Sequence, residues 1–167
     1  MNRTRTCLAA LIVLSFVLTG CPISSKYPLG VLSAAKPFDK TLIGTWKHPD
    51  EKAEATVITI EKGKNQYPYR VFVMEKGESF MADSEIFDAW IITLEGKNFL
   101  VLKETETEEA YFVYHIKVGV NEIITNDITL KVKGTDAITS VKSYQEEVIA
   151  SMKKDGFLAG QITWKRK

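Results

Sequence analysis

From residue 42 onward the chain consists of short runs rich in β-branched and aromatic residues, each broken by turn chemistry. Runs near 42–47, 54–61, 67–75, 79–94, 98–104, 110–118 and 122–132 read as strands, because such side chains suit a pleated, half-buried surface. Between them Gly63-Lys64-Asn65, Lys76-Gly77, Glu95-Gly96-Lys97 and Gly119-Val120-Asn121 supply residues that tolerate positive φ. Connections this short join antiparallel neighbours. One stretch keeps a different period: Tyr144, Val148 and Met152 recur at helical spacing with Ile149 beside them, giving a narrow apolar stripe. Ser143 and Glu146 fit a capping box at its start, and Gly156, after Lys153 and Lys154, suits a left-handed cap at its end. A last strand is expected over 161–166.

Seven strands, one short helix and an eighth strand predict an all-β, mainly antiparallel fold. The expected form is a meander barrel of about eight strands with the helix before the last, because closure removes the unpaired edges of an open sheet. Such a barrel is just wide enough inside for side chains or one small ligand, and the pattern leaves both open. A bulge is expected in the long fourth run, near Asp83 to Glu85.

The N-terminus follows another pattern. Arg3 and Arg5 precede a mostly apolar run from Cys7 to Leu18, too short to span a bilayer as a helix, which takes about 20 residues. A basic start, a short apolar centre and small residues after it are the marks of a secretory signal peptide. Where that run ends, Leu18-Thr19-Gly20-Cys21 resembles the bacterial lipobox. The resemblance implies cleavage before Cys21, a diacylglycerol on its thiol and attachment of the exported chain to a membrane. Pro22 stands where an aspartate would imply retention in the inner membrane, so the resemblance favours the outer membrane where the source has one. Two or three acyl chains hold a domain durably at a bilayer, each buried CH₂ being worth about 0.8 kcal/mol. The expected division is a signal peptide over 1–20, a lipidated N-terminus and tether over 21–37, and a barrel domain over 38–167. The alternative for part of the tether is that 27–32 pack on the domain as an extra edge.

Gly44-Thr45-Trp46, opening the first strand, resembles the Gly-x-Trp signature of the lipocalin and calycin group. The wider layout is similar to that of bacterial calycin-like lipoproteins, with an early "LIGTWK", a long "FDAWIITLEGKNFLVL", a helix introduced by "SYQEE" and a short terminal strand. The usual second and third lipocalin motifs are not evident. The resemblance implies that Trp46 closes the barrel's bottom against a basic residue of the final strand. Alternation puts Arg166 on the face of Ile162 and Trp164, so Gly44, Trp46 and Arg166 read as a structural clasp. It also implies, for a carrier, a small apolar ligand inside the barrel.

Charge narrows the partners. Lys and Arg number 22 against 21 Asp and Glu, and the leader removes Arg3 and Arg5. That balance argues against nucleic acid and against an electrostatic membrane patch. Cys7 leaves with the leader and lipid takes the Cys21 thiol, so neither cysteine remains for a disulfide.

Catalytic chemistry lacks parts. There is no Gly-x-Ser-x-Gly elbow; His48 reads as a solvated loop residue and His115 as a surface or rim histidine bonded to a neighbour. Asp83 and Glu85 share a strand face while Asp88 has opposite parity, and none is opposed across a cleft as glycosidase carboxylates are. Glu104, Glu106, Glu108 and Glu109 crowd a turn without an EF-hand loop, so the cluster reads as exposed charge and no metal or cofactor is expected. Most aromatics fill the core, with Tyr67, Tyr69 and Trp90 as candidates for a ligand site or rim. The reading is a non-enzymatic binding or protein-interaction module held to the membrane by lipid. Its alternatives are a carrier of a small apolar ligand and, behind that, a carboxylate-based envelope hydrolase.

Overall fold

The computed structural model describes residues 23–48, 56–74, 86–105 and 110–167. The strands are β1 (Ser24–Ser25), β2 (Gly44–Lys47), β3 (Val57–Lys62), β4 (Tyr69–Met74), β5 (Ile86–Leu94), β6 (Lys97–Glu104), β7 (Tyr111–Val118), β8 (Glu122–Ile128) and β9 (Leu158–Arg166), with helix α1 (Val141–Ser151) before the last. From β2 to β9 each strand is antiparallel to the next, and β9 returns to β2 through the pairs Trp46–Arg166 and Lys47–Lys165. The result is a closed eight-stranded meander barrel with one short helix before the final strand. Closure leaves β2 to β9 no free edge along the ring.

Two apolar clusters fill the body. Inside the barrel lie Trp46, Val71, Phe87, Leu102, Ile116 and Trp164. Outside it a second cluster joins Trp90, Phe99, Val101 and Val113 to Leu29 of the N-terminal segment and to Tyr144 and Val148 of α1. This explains why β5 is a nearly unbroken apolar run and β6 carries one from Phe99 to Leu102: Ala89 and Ile91 face one cluster while Trp90 and Ile92 face the other. Strands covered on both faces lose the inside–outside alternation.

The segment before β2 is packed, not free. Ser24 and Ser25 pair with Phe112 and Tyr111, Leu29 is fully buried, and Trp90 Nε1 donates to the Gly30 carbonyl at 3.0 Å. Within 27–32, Leu29 and Gly30 are buried against the domain while Tyr27 and Val31 are exposed, and the paired edge is Ser24–Ser25, outside that range.

Other expectations shift. The cap of α1 is Ser140, whose hydroxyl accepts from Ser143 N–H at 3.1 Å while Ser143 Oγ accepts from Ser140 N–H at 3.0 Å. Ser143 is therefore the third residue of the box, not its cap, and Glu146 lies on the exposed face beside Lys142. Gly156 has the expected positive φ of 69°, but the helix ends earlier, at a right-handed cap on Met152. Lys153 and Lys154 face water as expected. β8 stops at Ile128 and β9 begins at Leu158, earlier than the pattern indicated. The bulge expected near Asp83 to Glu85 falls outside the described residues. A register shift does occur between Thr125 and Asp127 of β8, opposite Gly160 of β9, whose φ is +52°. The extra residue reverses side-chain parity, so Leu158 packs outward while Ile162 and Trp164 point inward.

Candidate functional site

The resemblance-based clasp is the first feature to test. The Arg166 guanidinium lies 4.1 Å from the centre of the Trp46 ring, and its Nη1 donates to the Ile43 carbonyl at 2.8 Å. Its Nη2 donates to the Thr41 carbonyl, and Trp46 Nε1 donates to the Leu42 carbonyl at 3.0 Å. Gly44 has a φ of +144°, and a Cβ there would fall 2.6 Å from Arg166 Nη1. The three residues meet where β9 returns to β2.

The proposed rim aromatics do not assemble. Tyr69 is buried, stacks on Phe38 at 5.4 Å and accepts a hydrogen bond from Asp39 N–H at 2.7 Å. Trp90 is buried in the outer cluster with half-buried Tyr67 tilted against it at 5.8 Å. Pro68 separates two rings on opposite sides of the wall. Neither Tyr69 nor Trp90 lines an opening, so both are corrected from rim to core. Cys21 lies outside the described residues.

The histidines are less exposed than expected. His48 is half-buried with its ring edge-on to Trp164 at 5.5 Å, not a solvated loop residue. His115 is only 3% exposed, sits against Phe99, and its Nδ1 lies 3.2 Å from Asn126 Oδ1. Burial depresses its pKa, against the opposing pull of the Asn126 bond. Asp83 and Glu85 lie outside the described residues. Asp88 is half-buried, and its cross-strand partners on the neighbouring strands are both basic, Arg70 and Lys103. Glu104 is buried at the end of β6, while Glu106, Glu108 and Glu109 are outside the described residues. Among the described residues no three of His, Cys, Asp and Glu are grouped to hold a metal ion.

What the pattern missed is inside the barrel. A cavity of about 140 Å³ lies above Trp46 and Trp164, walled by Ile58, Val71, Leu100 and Leu102. Among the described residues its polar lining side chains are Thr56, Thr125, Tyr114 and Asp127. Thr125 is already engaged, its hydroxyl accepting from Trp164 Nε1 at 2.9 Å. Tyr114 and Asp127 are cross-strand partners on β7 and β8. Among the described residues no group donates a hydrogen bond to the Asp127 carboxylate, and burial raises its pKa above the ordinary value. Burial, and then the Asp127 charge, raise the Tyr114 phenol.

The bulge is what makes room for this carboxylate. Gly160 borders the cavity, and a Cβ there would collide with Asp127 Oδ2. A glycine inside a strand often marks such a close approach. That signal was present in the sequence, but with β9 taken to begin at 161 the glycine fell outside the strand. Compared with protein-family models, curated proteins and solved structures, the chain matches none.

Proposed function

We propose that this chain is exported, anchored through lipid on Cys21 to the envelope (the outer membrane where the source has one), and acts there as a non-enzymatic binding module that takes a small apolar group into its barrel. The observation that carries the binding reading is the cavity of about 140 Å³ with mostly aliphatic and aromatic walls. Cavities of about 150 Å³ lined by Leu, Ile and Phe stay dry and take up benzene-sized molecules. A larger lipid does not fit whole, because Phe87, Phe112 and the two tryptophans occupy much of the remaining interior.

The lipobox resemblance supports the address. Among the described residues no helix is long and apolar enough to cross a membrane. Ser24 already pairs with Phe112, and three residues span at most about 11 Å, so lipid on Cys21 would hold the barrel close to the bilayer.

The full chain, reconstituted in lipid nanodiscs, should bind toluene one to one in ligand-observed NMR, with empty nanodiscs as the blank. Val73→Trp, which pushes a ring into the cavity, should abolish the signal while leaving the circular dichroism of the barrel unchanged. Toluene binding that survives Val73→Trp, or none in the unaltered chain, overturns the cavity reading. Intact mass of the purified chain checks the address, since a diacylglyceryl addition on a chain beginning at Cys21 is expected and should vanish in Cys21→Ser.

A further inference from the structure

We propose that the cavity is specific for a small organic cation, an apolar body of roughly benzene size carrying a primary ammonium that pairs with the Asp127 carboxylate. This rests on the cavity reading above and names its ligand class.

The argument begins with what surrounds the carboxylate. Among the described residues the lining comes from seven strands, and its titratable groups are Tyr114 on β7 and Asp127 on β8. β2, β3, β4, β6 and β9 contribute apolar side chains and Gly160 there, Thr56 stands just before β3, and no lysine or arginine is among the described lining residues. Behind this lining the Arg166 guanidinium lies 4.1 Å from the Trp46 ring centre, tied to the Ile43 and Thr41 carbonyls, and the His48 ring meets the Trp164 edge at 5.5 Å. Asp127 therefore places one acidic group beside an apolar volume, with no hydrogen-bond donor to it from the described residues. An ionised carboxylate in such surroundings is costly unless it is paired. Its place is nevertheless built in: the β9 bulge and the left-handed Gly160 leave the space its oxygens occupy.

A ligand that supplies the missing partner gains on both counts. Its apolar part fills the cavity, and its ammonium makes a charge-assisted bond that the protein itself does not provide. The same geometry disfavours anions, because the carboxylate of a fatty acid would meet Asp127 head on. A neutral alcohol would satisfy one oxygen without offsetting the charge.

Three probes of one shape separate these cases: toluene, benzyl alcohol and benzylamine, titrated at pH 7.5 into the full chain in nanodiscs by ligand-observed NMR. Benzylamine should bind at least about tenfold tighter than toluene, the scale of one charge-assisted bond. In Asp127→Asn the amine should fall to within about threefold of toluene while toluene keeps its affinity. That retained toluene affinity shows that the variant is folded with its cavity intact. In the unaltered chain, toluene binding with no preference for the amine overturns the cation assignment and leaves the cavity reading standing. A preference that persists in Asp127→Asn also overturns it, since another group would then read the charge. Failure of all three probes overturns both readings.

Discussion

At the scale of single residues, Arg166 carries more than its charge. It stacks over Trp46 at 4.1 Å and donates to the carbonyls of Ile43 and Thr41, so one side chain ties the last strand to the segment that opens the first. Cation–π contact is worth about 0.5–2 kcal/mol, and hydrogen bonds from a charged group about 1.5–3 kcal/mol. These terms overlap, and Arg166→Ala should destabilise the fold by about 2–4 kcal/mol in urea denaturation. Arg166→Lys keeps the charge but loses the planar fork, and should fall between. Gly44→Ala should cost about 1–3 kcal/mol, through strain at a φ of +144° and the approach of its Cβ to Nη1. Combining Gly44→Ala with Arg166→Ala should cost less than the two separately, because the second change removes the atom with which the first collides. Strict additivity would mean that the contact between these positions has no energetic content.

At the scale of elements, α1 is held by an acid that its apolar stripe did not reveal. Glu147, 3% exposed, accepts from the backbone N–H groups of Val132, Lys133 and Gly134 and from Ser151 Oγ. The carboxylate thus organises the turn by which the chain leaves β8. Burial alone would raise its pKa, but the N–H donors and the hydroxyl outweigh burial and the net shift is downward. A carboxyl with a depressed folded pKa contributes stability that is present above about pH 4.5 and is lost as pH falls through the folded value. Glu147→Gln should therefore cost about 1–3 kcal/mol at pH 7, and the gap between variant and parent should narrow below pH 4 in paired denaturation curves. The strand periods and the stripe of Tyr144 and Val148 were legible in sequence because burial imposes them directly. The cap was not, because Ser140 and Ser143 each open a plausible box and only packing selects between them. Asp127 was hidden for a different reason. Its cavity partners come from cross-strand register and from a bulge, and neither exists until the barrel closes. The Trp46–Arg166 pair was legible through resemblance joined to alternation, and the packed position of Leu29 depended on an outer core that no local period announces.

At the scale of the whole molecule, buried His115 of β7 and half-buried Asp127 of β8 pull stability in opposite directions with pH. His115 faces the outer side of the wall, and burial lowers its pKa, so the folded state keeps it neutral where the unfolded chain would protonate it. Below about pH 6.5 the unfolded state binds the extra proton and stability falls. Asp127 faces the cavity, and burial raises its pKa. Between about pH 3.8 and that raised value the folded state binds the extra proton, so stability falls as pH rises through this window and stays lower above it. On this shift the ionised carboxyl works against the fold at neutral pH, as the proposed ligand site would require of a group kept for binding at the expense of stability. Asp127→Asn, which preserves shape and removes the charge, should raise the midpoint of thermal unfolding by about 2–4 °C at pH 7.5. The gain should shrink toward zero near pH 3.5, where both states of the parent are protonated at this position. His115→Gln should instead flatten the decline between pH 7.5 and pH 5.5. Calorimetry of the three chains across this range tests both signs at once. An Asp127→Asn variant less stable than its parent at pH 7.5 would mean that the carboxylate is holding the barrel together, and that its exposure to the cavity serves the fold, not a ligand.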